Sequence, residues 1–229
     1  MTNLIFDSSS LISLATNNLI PKLEDLKSRF DGKFLITDSV KKEIVDNPLH
    51  SNKFRLEAIR MSKLLQQNVL KLMGNLNLEK KSMQLLGICN QIFKARDNYL
   101  KILDKAELES LILAITVNGV YVVDERTMRL LIENPKKLSE LLERKFDTKI
   151  TVDQKNLAAL KSEIQNIQII RSSELMTVAF ELGLFKDYET KYLENPRKQI
   201  LEGILWGLRL RGCAISTEEI NQIISYERL

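Results

Sequence analysis

Short apolar runs that alternate with helical stretches predict an α/β domain built on a parallel sheet flanked by helices. Three observations carry this. Asn3 to Phe6 is an apolar run that ends at Asp7, after which Leu11, Ile12, Leu14 and Ala15 recur at helical spacing. Lys33 to Ile36 repeats the pattern: Thr37-Asp38-Ser39 supplies residues that favour helix N-caps, and Val40 to Val45 continues as a helix that Pro48 ends. Val120 to Val123 is the clearest strand, β-branched and aromatic, and it follows the helix stop Asn118-Gly119 and ends at Asp124. In a parallel sheet, ligands bind at the carboxyl ends of the strands, where both Asp7 and Asp124 lie.

Between these units, residues 54 to 93 read as helical throughout, with apolar faces marked by Ile59, Leu64, Leu65, Leu72, Leu85, Leu86 and Ile92, and a break near Asn75. Tyr99 to Leu103 reads as a brief third strand, and Glu107 to Thr116 as a helix. After Asp124 the pattern is helical to about Phe146, with a short strand at Lys149 to Val152. From Gln154 onward it is a helical appendage. Asn195-Pro196 opens one helix, Ile200 to Leu210 forms its amphipathic face, Gly212 stops it, and Ser216-Thr217-Glu218-Glu219 opens the last. The expected organisation is a domain over 1–152, with a basic helical insertion at 54–98, followed by a C-terminal helical domain over 153–229.

At 229 residues the chain suits one elaborated domain or two small ones. Its 44% hydrophobic and 28% charged content, with only 8 Gly and 4 Pro, excludes disorder. No apolar run approaches a membrane span, and the first residues lack a basic signal-peptide start, so the expected location is cytoplasmic. Cys89 and Cys213 stand apart from each other and from any histidine, which excludes a zinc knuckle and leaves them as core residues. His50 is the single histidine, in an expected loop after Pro48, so triad and histidine-metal chemistries have little to rest on. Carboxylates remain, and they do hydrolytic chemistry chiefly by holding hard cations such as Mg²⁺ or Mn²⁺.

Charge is unevenly spread. Residues 53–101 hold ten basic side chains (Lys53, Arg55, Arg60, Lys63, Lys71, Lys80, Lys81, Lys94, Arg96, Lys101) and three acidic ones (Glu57, Glu79, Asp97). That segment is +7 in a chain of net +4, which leaves the remainder at −3. A basic lobe on an acidic body suits an enzyme acting on a polyanion; solvated outer helix faces would give the same count.

Four acids occupy strand-to-helix junctions or first helical turns: Asp7, Glu43, Glu107 and Asp124. On neighbouring parallel strands they would converge on one edge. Converging carboxylates cannot all stay ionised in a poorly solvated pocket unless a cation joins them. A divalent ion resolves the repulsion and provides for attack on a phosphodiester. Each acid also suits a helix cap or a first turn on its own, which is the competing explanation residue by residue.

The segments LIFDSSSLISL, ITDSVKKEIVDNP and DKAELESLILAITVNGVYVVDERTMR together resemble the PIN domain, a family of metal-dependent ribonucleases that includes toxins and rRNA-processing enzymes. The resemblance covers roughly residues 2 to 150. It implies a PIN-like parallel sheet, Mg²⁺ or Mn²⁺ as cofactor, and metal-binding and catalytic roles for Asp7, Glu43, Glu107 and Asp124, with Ser9 in support. Many members have aspartate at the third position. Here Glu107 stands with Asp104 and Glu109 nearby, and Glu109 lies about 200° round a helix from Glu107, so at most one of that pair faces the pocket.

The implied activity is endoribonucleolytic cleavage of RNA in rRNA or tRNA processing or RNA turnover. The long insertion and the C-terminal extension mark a larger prokaryotic or archaeal form. Arg55, Arg60, Lys63, Lys80, Lys81, Arg96 and Arg126 are the candidate RNA contacts. Arg129 is expected to pair with Glu133 and Trp206 to pack. A catalytically silent RNA- or protein-binding module, or a toxin held by an antitoxin, are the rival readings. RNA is the expected partner, without a membrane; a homodimer, an antitoxin and a ribosomal partner are left open.

Overall fold

Leu4-Ile5-Phe6, Phe34-Leu35-Ile36 and Val120-Tyr121-Val122 are apolar at every position because each is a central strand covered on both faces. The computed structural model describes residues 2–73 and 78–227. The chain opens with β1 (Leu4–Phe6), α1 (Ser8–Thr16), α2 (Ile20–Ser28) and β2 (Phe34–Ile36). Next come α3 (Asp38–Lys41), a π-helical turn (Lys42–Asp46), α4 (Asn47–Leu49), α5 (Arg55–Gln66) and β3 (Leu70–Leu72). The middle holds α6 (Leu78–Cys89), β4 (Phe93–Ala95), β5 (Asn98–Tyr99), α7 (Lys105–Thr116) and β6 (Val120–Val122). Then follow α8 (Arg126–Glu133), α9 (Pro135–Phe146), β7 (Ile150–Val152), α10 (Gln154–Glu163) and β8 (Gln168–Ile170). The last elements are α11 (Ser172–Glu181), a 3-10 turn (Lys186–Tyr188), α12 (Pro196–Leu210) and α13 (Thr217–Tyr226).

The main sheet has five strands in the order β3-β2-β1-β6-β8, all parallel. A small antiparallel sheet runs β5-β4-β7. Strand alternation divides the core in two. Leu4, Phe6, Phe34, Ile36, Val120 and Val122 face one side, covered by α1, α2, α5, α11, α12 and α13. Ile5, Leu35, Tyr121 and Val123 face the other, covered by α6 to α10.

Several expected elements differ. Leu70–Leu72 and Phe93–Ala95 are strands inside the segment read as helical, so 54–98 is not an all-helical insertion. The physical reason is that β3 is an edge strand: Leu70 is buried while Lys71 and Leu72 are exposed, which breaks the apolar run that marked the central strands. The expected strand Tyr99–Leu103 is reduced to Asn98–Tyr99 in the small sheet and is no neighbour of the acid-bearing strands. The break expected near Asn75 lies outside the described residues.

The segment 153–229 is not purely helical either. Its β8 pairs with β6 in the main sheet, and α11 to α13 share one core with β1 and α1, so a boundary at 152/153 cuts through packed structure. Gln168-Ile169-Ile170 is again a half-exposed edge strand, too short to stand out between helices. The basic residues do not form one lobe. Arg55, Arg60 and Lys63 ride on α5 over one face, Lys80 and Lys81 on α6 over the other, and Arg96 sits in the β4–β5 turn.

At the turn before β6 the left-handed residue is Asn118 (φ 47°). Gly119 is needed there for closeness: a Cβ on it would lie 2.4 Å from Ile5 Cδ1 and 2.8 Å from the Asn3 carbonyl oxygen. Cys89 and Cys213 are buried, as core residues should be. Among the described residues, no helix is long and apolar enough to cross a membrane.

Candidate active site

Parallel strands place β1, β2 and β6 with their carboxyl ends on one edge, and there the helices α1, α3, α7 and α8 begin. Asp7 follows β1 directly. Its backbone N–H pairs with the Val122 carbonyl (2.9 Å), which locks β1 to β6 at the edge. Its carboxylate is the N-cap of α1, with Oδ2 accepting the Ser9 N–H at 3.0 Å and the Ser9 hydroxyl at 2.6 Å. Ser9 Oγ in turn accepts the Asp124 N–H at 3.1 Å, so one serine, the expected supporting residue, ties the ends of two strands. Asp7 is 3% exposed. Burial pushes its carboxyl up to about 6, against the pull of the Ser9 hydrogen bonds, and the charge of Glu43 pushes the same way.

Glu107 is the third residue of α7 and completes a capping box: its Oε2 accepts the Asp104 N–H (2.8 Å) while Asp104 Oδ1 accepts the Glu107 N–H (3.2 Å). Burial pushes Glu107 up to about 8, and the charges of Asp104, Glu125 and Asp7 add to the shift. The nearest alternatives are otherwise engaged. Glu109 accepts a short hydrogen bond from the Ser39 hydroxyl and lies 3.7 Å from the Lys105 ammonium. Asp104 is exposed and caps the helix. Glu107 feels the charge of Asp7, and Glu109 lies round the helix as its spacing requires.

Glu43 lies in the π-helical turn of the helix after β2, exposed, with its charge felt at Asp7. Single π turns inside helices recur at functional sites. Asp7 thus feels the charge of Glu43, and Glu107 that of Asp7.

Asp124 does not join them. The register pairs Leu4 with Val120, Ile5 with Tyr121 and Phe6 with Val122, which brings Asp7 level with Val123, not with Asp124. Asp124, one residue further, therefore turns to the opposite face. It is completely buried, and both oxygens are taken: Oδ1 accepts the Ser172 N–H at 2.7 Å and Oδ2 the Ser172 hydroxyl at 2.5 Å. Its backbone carbonyl accepts the Ala214 N–H (3.1 Å), and the Ala214 carbonyl accepts from Arg129 (2.7 Å) and Arg171 (3.1 Å). The expected fourth metal ligand is in place at the edge but faces the C-terminal helices.

Glu125, which sequence reasoning passed over as the residue after Asp124, caps α8 by accepting the Met128 N–H at 2.7 Å. The signal that could have found it is strand parity counted from Asp7. Arg126, exposed at the start of α8, is the one candidate RNA contact that lies directly beside this acidic edge. Arg129 pairs with Glu133 as expected (2.9 Å). Trp206 is 38% exposed with Arg209 stacked over its ring at 4.9 Å, and His50 is an exposed residue closing α4.

A doubly covered parallel sheet with carboxylates gathered at the ends of β1, β2 and β6 defines a nuclease-like α/β domain. The chain belongs to the PIN domain family, whose family model matches residues 3–136. No curated protein and no solved structure matches it. Members of this family typically use divalent metals. Among the described residues, no three acids, histidines or cysteines stand in an arrangement that would hold an ion as placed. The donor set nevertheless fits a hard cation: carboxylate oxygens on buried Asp7, half-buried Glu107 and exposed Glu43. Ser110 Oγ, one turn along α7 from Glu107, is buried and without a hydrogen-bond partner among the described residues.

Proposed function

We propose that the chain is a divalent-metal-dependent endoribonuclease that acts on RNA phosphodiesters in rRNA or tRNA processing or in RNA turnover, in the cytoplasm. The observation that carries this reading is the common position of Asp7, Glu43 and Glu107 at the carboxyl edge of the sheet, each at or near the start of a helix, with burial and neighbouring acids raising the Asp7 and Glu107 carboxyls above the usual range. Mg²⁺ or Mn²⁺ bound there supplies the positive charge and Lewis acidity that phosphodiester hydrolysis requires.

The protein's own part is to hold oxygens ready. Asp7 and Glu107 are the anchoring donors, with Glu43 closing from the helix after β2. Each anchor gives one oxygen to a backbone N–H of its own helix and keeps the other for the ion. Ser9 keeps Asp7 in its rotamer and binds the end of β6 in the same step. Arg126, exposed at the start of α8, would meet a phosphate at this edge.

The decisive experiment is cleavage of an unstructured RNA with and without Mn²⁺. Metal-dependent cleavage by wild type and its loss in Asp7→Asn are expected; unchanged cleavage by Asp7→Asn would sink the reading. A silent binding module is the second reading, favoured by the engagement of Asp7 and Glu107 in helix caps. It predicts RNA binding without cleavage and no stoichiometric Mn²⁺ uptake.

A further inference from the structure

Three acids at this edge share a pattern that Asp124 lacks. Asp7, Glu107 and Glu125 each stand at the N-terminus of a helix, and each commits one oxygen to a backbone N–H there. For Asp7 that oxygen is Oδ2, for Glu107 and Glu125 it is Oε2, and the second oxygen has no protein partner among the described residues. Asp124 has no oxygen left and no exposed surface.

Strand parity gives an independent reason. Tyr121 and Val123 point into the core that α7 covers, whereas Val122 points into the core of α1 and α11. Continuing the extended backbone, Asp124 falls on the α11 side, as its bonds to Ser172 show, and Glu125, itself extended (φ −67°, ψ 129°), falls on the α7 side. Asp7 has the same parity as Ile5, which also faces the α7 core. The Tyr121 hydroxyl donates to the Glu107 carbonyl (3.3 Å), which fixes the start of α7 over this side of β6.

We infer that Glu125 is the fourth carboxylate of the metal centre, and that Asp124 is a structural residue that ties the end of β6 to the C-terminal segment through Ser172. The inference rests on the reading of the edge as a divalent-metal centre. Ser172 and Ala214 both bond to Asp124, although both lie beyond the residues the family model matches.

The test is calorimetric titration of the full chain with MnCl₂, with thermal unfolding of the metal-free proteins alongside. Wild type, Glu125→Gln, Asp124→Asn and Ser172→Ala are compared. Glu125→Gln is expected to weaken Mn²⁺ binding by about tenfold or more with an unchanged melting temperature, and folded Asp124→Asn to bind within about threefold of wild type. Ser172→Ala should melt lower and still bind within about threefold, and it replaces Asp124→Asn if that variant does not fold. Wild-type binding by Glu125→Gln overturns the inference alone, as does a tenfold loss in folded Asp124→Asn or Ser172→Ala. Absence of stoichiometric Mn²⁺ binding by wild type overturns the nuclease reading, and the inference with it.

Discussion

The Ser9 hydroxyl donates to Asp7 Oδ2 across 2.6 Å. This bond lowers the Asp7 carboxyl against the burial that raises it. Ser9→Ala removes the pull, so the carboxyl should rise above about 6 and Mn²⁺ binding should require a higher pH. Titrations with Mn²⁺ at a series of pH values between 5 and 8 read the shift. An unchanged pH dependence would show that Ser9 does not govern the state of Asp7.

Metal-free stability should fall as pH rises. Asp7 moves from an ordinary value of 3.8 up to about 6 and Glu107 from 4.5 up to about 8, so the folded chain holds these protons more tightly than the unfolded chain. The native state then binds more protons across the interval from about pH 4 to pH 8, and its stability declines through it. Melting temperatures in a chelator should drop between pH 5 and pH 8, and Mn²⁺ at pH 8 should restore them. A flat profile in Asp7→Asn/Glu107→Gln would confirm the source; a wild-type profile that rises with pH would refute it.

The two glutamates on α7 should separate cleanly. Glu107→Gln is expected to weaken Mn²⁺ binding by about tenfold or more, while Glu109→Gln, which disturbs only the bonds to Ser39 and Lys105, should change it by less than about threefold. Equal losses in the two variants would contradict the placement of Glu107 at the site.

Ser172→Ala leaves a buried carboxylate with one partner where it had two. Loss of a hydrogen bond to a charged group in such surroundings costs about 1–3 kcal/mol, readable as a lower urea midpoint. A midpoint within error of wild type would mean that the Asp124 contact contributes little to the fold.

Gly119→Ala should cost about 1–3 kcal/mol in urea unfolding, since the new methyl meets Ile5 and the Asn3 carbonyl where β1 enters the sheet. Full wild-type stability would indicate that the β1–β6 approach yields more easily than its spacing suggests.

The central strands were legible because full burial leaves no polar position in Leu4-Ile5-Phe6, Phe34-Leu35-Ile36 or Val120-Tyr121-Val122. Edge strands were not: Lys71 and Gln168 face solvent, and their neighbours Leu70 and Ile169-Ile170 are too few to break a helical pattern. Asp7, Glu43 and Glu107 were visible as acids at element junctions. The direction of Asp124 was not, because it depends on the pairing of Leu4 with Val120, which sets four residues before Asp124 against three before Asp7. Its partner Ser172 lies 48 residues further along, beyond any local pattern.

The separation between Asp124 and Ser172 has a consequence in time. A ribosome adds about 5–20 residues per second, so the 48 residues between them take roughly 2–10 s to emerge. Throughout that interval β6 lacks its neighbour β8, and the Asp124 carboxylate has neither of its partners. The end of β6 that leads to Glu125 is therefore held only after Ser172 has emerged, and the centre is completed together with the main sheet rather than before it.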